Sequence, residues 1–186
     1  MKEKKYRAVF LDRDGVINKA IIKSGKPHPP NNIEELDIPK DIQKALFALK
    51  KAGFLLIVVT NQPDVARGIQ QKKVVETINT TLLSTLPIDD IFVCYHDDSD
   101  GCTCRKPMPG LLYHAADKYQ IDLASSFMIG DRWKDIEAGR RAGCVTILID
   151  HHYAEEGSDR FPDYRVSLIS EAATCILNHQ REGRIR

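Results

Sequence analysis

Two carboxylates close the run Ala8-Val9-Phe10-Leu11-Asp12-Arg13-Asp14-Gly15-Val16-Ile17, and their spacing is the chain's strongest chemical signal. The apolar half of the run reads as a buried strand. Acids at the end of such a strand are costly to bury unless a cation or a chemical task accounts for them. At i, i+2 both side chains would share one face of an extended strand. If the chain turns at Arg13, one acid can attack an electrophile while the other moves protons. Gly15 suits a tight exit because it tolerates backbone angles that a β-carbon forbids. Taken alone, a strand end capped by solvated acids would look the same.

Other polar residues fall at matching places. A second apolar run, Phe54–Thr60, leads into Thr60-Asn61-Gln62, and Phe127–Gly130 leads into Asp131-Arg132, with Asp135 four residues beyond Asp131. Lys106 opens the segment Lys106-Pro107-Met108-Pro109-Gly110 just ahead of a helical pattern. In parallel α/β sheets ligands bind at the carboxyl ends of the strands. Separate termini would therefore bring carboxylates, a hydroxyl and an ammonium to one edge. These groups suit a hard cation among the carboxylates, Mg²⁺ above all, and a phosphate between Thr60 and Lys106.

A second constellation is Cys94-x-His96-x₅-Cys102-x-Cys104. Three thiols and an imidazole match a tetrahedral zinc site, and four protein ligands leave no open position, so Zn²⁺ here is expected to be structural. Cys144 and Cys175 stand in apolar surroundings and read as small buried hydrophobes. The odd count of five cysteines, with no export signal, argues against a disulfide framework. His114, His151, His152 and His179 have no partner nameable from sequence.

The elements that must position these groups alternate. Strands are expected at Arg7–Leu11, Phe54–Thr60, Asp90–Cys94, Phe127–Gly130 and, last, Val145–Ile149. Helices are expected at Asp41–Ala52, Lys72–Leu86, Pro109–Tyr119 and Asp135–Ala142. Continuously apolar strands separated by helices predict an α/β fold, a Rossmann-like parallel sheet with helices on both faces. The 186 residues are expected to form a single domain spanning 1–186, with residues 151–186 packing back through Leu168–Leu177. Hydrophobic residues make up 42% and charged residues 28%, while 27 Lys and Arg against 26 Asp and Glu argue against a nucleic-acid or membrane surface. With no apolar run near the roughly 18 residues of a membrane span, the expected compartment is the cytoplasm. The stretch between Asp14 and Asp41 is too short for an extra cap domain. The site should therefore be capless and open, partly covered by the zinc loop and by residues 18–38. Within the latter, Lys26 and His28 read as part of a solvated loop.

The combination Asp12-x-Asp14-Gly15-Val16, Thr60-Asn61-Gln62, Arg105-Lys106-Pro107 and Gly130-Asp131-x-x-x-Asp135 resembles the haloacid dehalogenase-like phosphatases, from about residue 7 to 150. Within that superfamily the chain is similar to the group of heptose bisphosphate and histidinol-phosphate phosphatases. Asp12–Asn18, Ala66-Arg67-Gly68 and Lys106–Gly110 lean towards the heptose enzymes. The resemblance implies a capless core in which Asp12 is the nucleophile, forming an aspartyl-phosphate, and Asp14 is the general acid and base. It implies Mg²⁺ held by Asp12, Asp131 and the backbone carbonyl of Asp14, with Thr60 and Lys106 on the phosphoryl oxygens. Asn61, Gln62, Arg105 and Arg132 would face the substrate, Arg105 gripping a second phosphate or polar group, and Asp135 would steady Lys106 or the water ligands of the metal. The cysteine-histidine pattern also occurs in these relatives.

One departure is visible: Pro63-Asp64-Val65 replaces a small Ser-Gly-like turn, and Pro63 removes a backbone donor near the phosphate. The sugar, its anomer and the phosphate removed stay open. Two other classes share part of the pattern. A phospho-acceptor signalling domain also sets an aspartate and Mg²⁺ at strand ends but lacks the proton shuttle that Asp14 supplies. A polynucleotide 3′-phosphatase shares the acid and Thr-Asn-Gln motifs but requires a basic groove. The expectation is a monomer acting on a small sugar phosphate, without nucleic-acid or membrane partners.

Overall fold

The computed structural model describes residues 5–23, 25–153 and 161–183. Its centre is β1 (Arg7–Leu11), whose side chains alternate between two buried faces. Val9 and Leu11 enter one hydrophobic cluster, and Ala8 and Phe10 the other. Burial on both faces is why the run is apolar without a break. β4 (Phe54–Asn61) and β6 (Phe127–Gly130) flank β1 in parallel. β5 (Asp90–Cys94) extends the sheet on one side, and β7 (Val145–Ile149) and β8 (Tyr164–Val166) on the other, giving the order β5-β4-β1-β6-β7-β8.

α1 (Ile42–Lys51) buries Ile42, Ala45, Leu46 and Leu49 on one face of the sheet, together with Ile78 and Leu82 of α2 (Lys72–Thr85) and Ala172 and Ile176 of α5 (Ile169–Gly183). α3 (Gly110–Tyr119) and α4 (Trp133–Ala142) cover the other face through Leu111, Leu112, Ala115 and Ala138. No described helix is long and apolar enough to cross a membrane.

Connections leave β1 and β6 in opposite directions, through α1 to β4 and through α4 to β7. A crevice therefore opens at the carboxyl ends of β1, β4 and β6, where the order reverses. The expected elements stand with boundary shifts of one or two residues, and two findings correct the expectation. Val145–Ile149 is not the last strand, because β8 adds in parallel to β7, pinned by the Asp163 carboxylate accepting from the Thr146 N–H and hydroxyl at 2.7 and 2.8 Å. Residues 18–38 are not merely a solvated loop. They contain a small antiparallel hairpin, β2 (Ile21–Lys23) and β3 (Lys26–His28), tethered by the Gln70 amide donating to the carbonyls of Pro30 and Asn31.

α4 lies very close to the sheet. A Cβ at Gly139 would stand 2.6 Å from Met128 Cβ and 2.9 Å from Thr146 Cγ2. Gly139→Val is expected to lose about 3 kcal/mol of stability through overpacking, read as a lower urea midpoint at unchanged slope. An unchanged midpoint would contradict the close packing of α4.

Candidate active site

Three carboxylates meet at the crevice. Asp12 follows β1, its backbone N–H donating to Ile129 O at 2.9 Å; Asp131 follows β6, and Asp135 sits in the first turn of α4. One oxygen from each lies within 4.8 Å of the others, and all three residues are buried. Lys106, only 2% exposed, inserts its ammonium among them: Nζ is 2.6 Å from Asp12 Oδ1, 2.5 Å from Asp135 Oδ1, and donates to Val59 O at 2.8 Å. Burial alone would depress the Lys106 pKa, but Asp12 and Asp135 outweigh it and hold the ammonium charged. Burial pushes Asp12 up to about 7, against the pull of Lys106 and with the push of Asp135 and Asp14.

Asp131 is the member left over. Both of its carboxylate oxygens are buried and accept no hydrogen bond among the described residues, and burial followed by repulsion from Asp12 and Asp135 raises its pKa well above the carboxylate range. The Tyr153 phenol faces it and is itself shifted up, by burial first and then by Asp131. With all four groups ionised, three acids against one ammonium leave two negative charges to compensate. A hard divalent cation on Asp12 and Asp131 fits that deficit and those orphaned oxygens. Two glycines make the approach possible. Gly15 has φ +94°, and a Cβ there would lie 1.8 Å from Asp131 Oδ2; a Cβ on Gly130 would lie 2.1 Å from Asp135 Cβ.

Asp14 is held differently, half-buried at the edge of the crevice. Its carboxylate accepts from Arg13 Nε and Nη2 at 3.2 and 3.0 Å, from Asn18 Nδ2 at 3.0 Å and from Gln62 Nε2 at 2.8 Å. Arg13 is fully buried, and its Nη1 donates to Asn79 Oδ1 on α2 at 3.0 Å. The structure thus turns the chain at Arg13, as the spacing suggested, and sends Asp12 to the lysine and Asp14 to a separate clamp.

Thr60 and Asn61 also reach the cleft. Gln62, expected to face substrate, is buried and has its amide engaged by Asp14 and by Thr60 Oγ1 at 2.9 Å. Asn61 grips the Lys106 backbone twice, Nδ2 donating to Lys106 O and Oδ1 accepting from Lys106 N, both at 3.0 Å. The carboxylate of Asp14 is absent from the three-acid cluster, where Asp135 stands instead.

The cleft has a volume of about 300 Å³ and is walled by Arg105 and Arg132, by Arg67 and Lys134, and by the hairpin residues Lys26 and His28. The last four were not foreseen as site residues. Residues 18–38 and the start of α4 were expected at this edge, but no local pattern marks these four side chains as lining it.

Cys94, His96, Cys102 and Cys104 converge. Cys104 Sγ is 3.2 Å from Cys94 Sγ and 3.5 Å from Cys102 Sγ, Cys94 and Cys102 are 3.7 Å apart, and His96 Nδ1 is 3.6 and 3.3 Å from Cys94 and Cys104. A tetrahedron with zinc–sulfur arms of about 2.3 Å has edges of about 3.8 Å, close to this set. Burial first, then neighbouring thiol Cys104, pushes the Cys94 thiol up, which a bound cation would reverse. Arg105 and Lys106 directly follow this knot. Among the histidines, His151 Nε2 lies 2.8 Å from Gly15 O and His179 Nδ1 lies 2.9 Å from the Tyr164 hydroxyl.

A family model described as "HAD-hyrolase-like" matches residues 103–171. A D-glycero-alpha-D-manno-heptose-1,7-bisphosphate 7-phosphatase of Photorhabdus laumondii is 35% identical over 173 residues, covering 83% of this chain and 90% of the relative. The beta-specific counterpart of Escherichia coli K12 is 37% identical over 154 residues, covering 76% and 78%. Among solved structures, a D,D-heptose 1,7-bisphosphate phosphatase from B. bronchiseptica, complexed with magnesium and phosphate, superposes with a TM-score of 0.79 at 27% identity, over 93% of this chain and 99% of that one.

As purified, Cys102→Ser is expected to carry far less zinc than the parent by elemental analysis and to melt at a lower temperature. Equal zinc content in the two proteins would contradict the assignment of Cys102 as a ligand.

Proposed function

The chain belongs to the haloacid dehalogenase-like phosphatases, in the group of the heptose 1,7-bisphosphate 7-phosphatases, and on that premise we propose how it acts, on what, and with which ions. It is a phosphatase that removes the 7-phosphate of a D-glycero-D-manno-heptose 1,7-bisphosphate, leaving the 1-monophosphate. The observation that carries the metal requirement is Asp131, an acid buried beside Asp12 with both oxygens unpaired among the described residues. Asp12, Asp131 and the Asp14 carbonyl would hold Mg²⁺, which when bound offsets the charge of carboxylate and phosphate and polarises the phosphoryl oxygens. Zn²⁺ on the cysteine-histidine knot is structural, bracing the segment that carries Arg105 and Lys106.

Asp12 attacks phosphorus, the bond to the sugar oxygen breaks, and the phosphoryl group rests on the Asp12 carboxylate. Lys106, held charged by Asp12 and Asp135, and the Thr60 hydroxyl bind the equatorial oxygens, where negative charge is spread in the transition state. Asp14 delivers a proton to the departing sugar oxygen and then takes one from the water that hydrolyses the acyl phosphate. Gln62 bridges Asp14 and Thr60, so the proton carrier and the phosphate ligand move as one unit. Arg105 and Arg132 face the remainder of the substrate, Arg105 towards the second phosphate. Relatives named for both anomers stand at similar identity, so the anomer is an outcome of assay. We further propose a monomeric single-domain enzyme of the cytoplasm.

The test is phosphate release with Mg²⁺ from both anomers of the heptose bisphosphate, fructose 1,6-bisphosphate, histidinol phosphate and a 3′-phosphorylated oligonucleotide. One heptose anomer is expected to lead in kcat/KM by roughly a hundredfold, about 3 kcal/mol of transition-state preference. Preference for histidinol phosphate or the oligonucleotide would overturn the substrate assignment. In the same assay Asp12→Asn is expected to lose roughly a thousandfold or more in turnover while keeping its circular dichroism. Wild-type activity in that variant would remove Asp12 as nucleophile.

A further inference from the structure

Three cations on the wall of the cleft beyond Lys106 are already engaged by acids. Arg67 pairs with Asp64 at 3.3 Å and, more closely, with Asp97. Arg105 donates to Asp98 from Nε at 2.8 Å and from Nη2 at 3.3 Å. Lys134 lies 3.9 Å from the same Asp98, and Arg67 Nη2 reaches it at 3.5 Å. Asp64, Asp97 and Asp98 thus balance Arg67, Arg105 and Lys134 charge for charge. Lys26 and Arg132 also line the cleft, but at these three cations a second phosphate meets charges that are already neutralised, and like charges brought together in a partly enclosed site repel. Either the phosphate goes elsewhere or one acid gives way.

The acids are not equally fixed. Asp97 is built into its turn: its side chain caps the single 3₁₀ turn Asp98–Asp100, and its own N–H donates to Asp100 Oδ2 at 2.7 Å. Asp98 begins that turn with its side chain 65% exposed, and its carboxylate contacts only the three cations among the described residues. It takes Arg105 with a fork of two bonds, the way a phosphate oxygen pair would. Gly101, in the left-handed conformation, ends the turn just behind it.

We propose that Asp98 is a specificity-determining residue whose carboxylate occupies the place of the substrate's non-reacting phosphate and is displaced from Arg105, Arg67 and Lys134 when a bisphosphate binds. This rests on the reading of the cleft as a sugar bisphosphate site. A phosphate dianion outcompetes a monoanionic carboxylate for three cations, whereas a neutral hydroxyl at the same position does not. The acid therefore sets how strongly the cleft prefers a bisphosphate to a monophosphate of the same sugar, because only the bisphosphate must displace it, rather than merely propping up Arg105.

The experiment measures inhibition of p-nitrophenyl phosphate hydrolysis by fructose 1,6-bisphosphate and by fructose 6-phosphate in the wild type, Asp98→Asn and Asp98→Glu. The readout is the ratio of the two inhibition constants, which cancels effects common to both ligands. Removing the competing charge is expected to tighten the bisphosphate selectively, shifting the ratio about fivefold to tenfold in Asp98→Asn, while Asp98→Glu stays near the parent. A ratio that is unchanged, or that moves against the bisphosphate in Asp98→Asn, overturns the proposal and leaves Asp98 as a prop for Arg105. Failure of the wild type to hydrolyse heptose bisphosphate, with the ratio still shifted, would reject the substrate and keep the stand-in.

Discussion

One buried ammonium makes this site possible. Lys106 is almost wholly enclosed and touches two carboxylates and a β4 carbonyl, so its position and theirs are a single arrangement. Without it, Asp12 and Asp135 would be uncompensated charges in the interior, a state proteins avoid by neutralising the group or losing the fold. Without them, the lysine would be the uncompensated charge. The rest of the architecture can be read as the means of holding this triad: parallel strands that end together, a glycine on each side to let backbone approach carboxylate, and α4 placed close enough for Asp135 to reach. Asp131 stands outside the ion pair, which is why a cation is proposed beside it.

The surrounding contacts divide the work between two linked units. Asn61 clasps the Lys106 backbone, and the cysteine-histidine knot ends immediately before Arg105, so β4 and the cysteine-histidine loop together decide where the lysine enters. Arg13, Asn18 and Gln62 fix Asp14 through four donated bonds, and Arg13 carries that constraint to Asn79 on α2. Gln62 joins the units by touching Thr60 as well. Such networks hold reacting groups to a small fraction of an ångström only if every member is satisfied. Here all four donors to Asp14 are engaged, while Asn18 Oδ1 is buried without a hydrogen-bond partner among the described residues.

The strands β1, β4, β5, β6 and β7 were legible because strands buried on both faces are unbroken apolar runs, and the acids at their ends could be located by counting. The cysteine-histidine knot was legible because four soft or imidazole ligands rarely cluster in so short a stretch. What escaped were contacts made only by folding. Lys26 and His28 sit in a segment rich in proline and cations with no periodicity, and nothing local says that it forms a hairpin or turns these two residues to the cleft. β8 is three residues long, too short to carry a pattern, and is recognised by Asp163 gripping Thr146 across the chain. Gln62 looked like a substrate ligand by its neighbours, yet its amide faces inward because β4 carries it past Thr60 towards Asp14. Arg13 gave a cue that could have been used: an arginine between two acids at the end of a buried strand must itself find an anion.

The central claim is that the Asp12 carboxylate, and no other group, receives the phosphoryl group. Acid-quenching the enzyme during steady turnover of the bisphosphate with Mg²⁺, followed by peptide mapping by mass spectrometry, tests it directly. The account predicts a phosphoryl adduct on Asp12 that is labile to base and absent when the metal is chelated. An adduct on another residue, or turnover with no adduct at any quench time and direct incorporation of solvent oxygen into phosphate without exchange into Asp12, would contradict it.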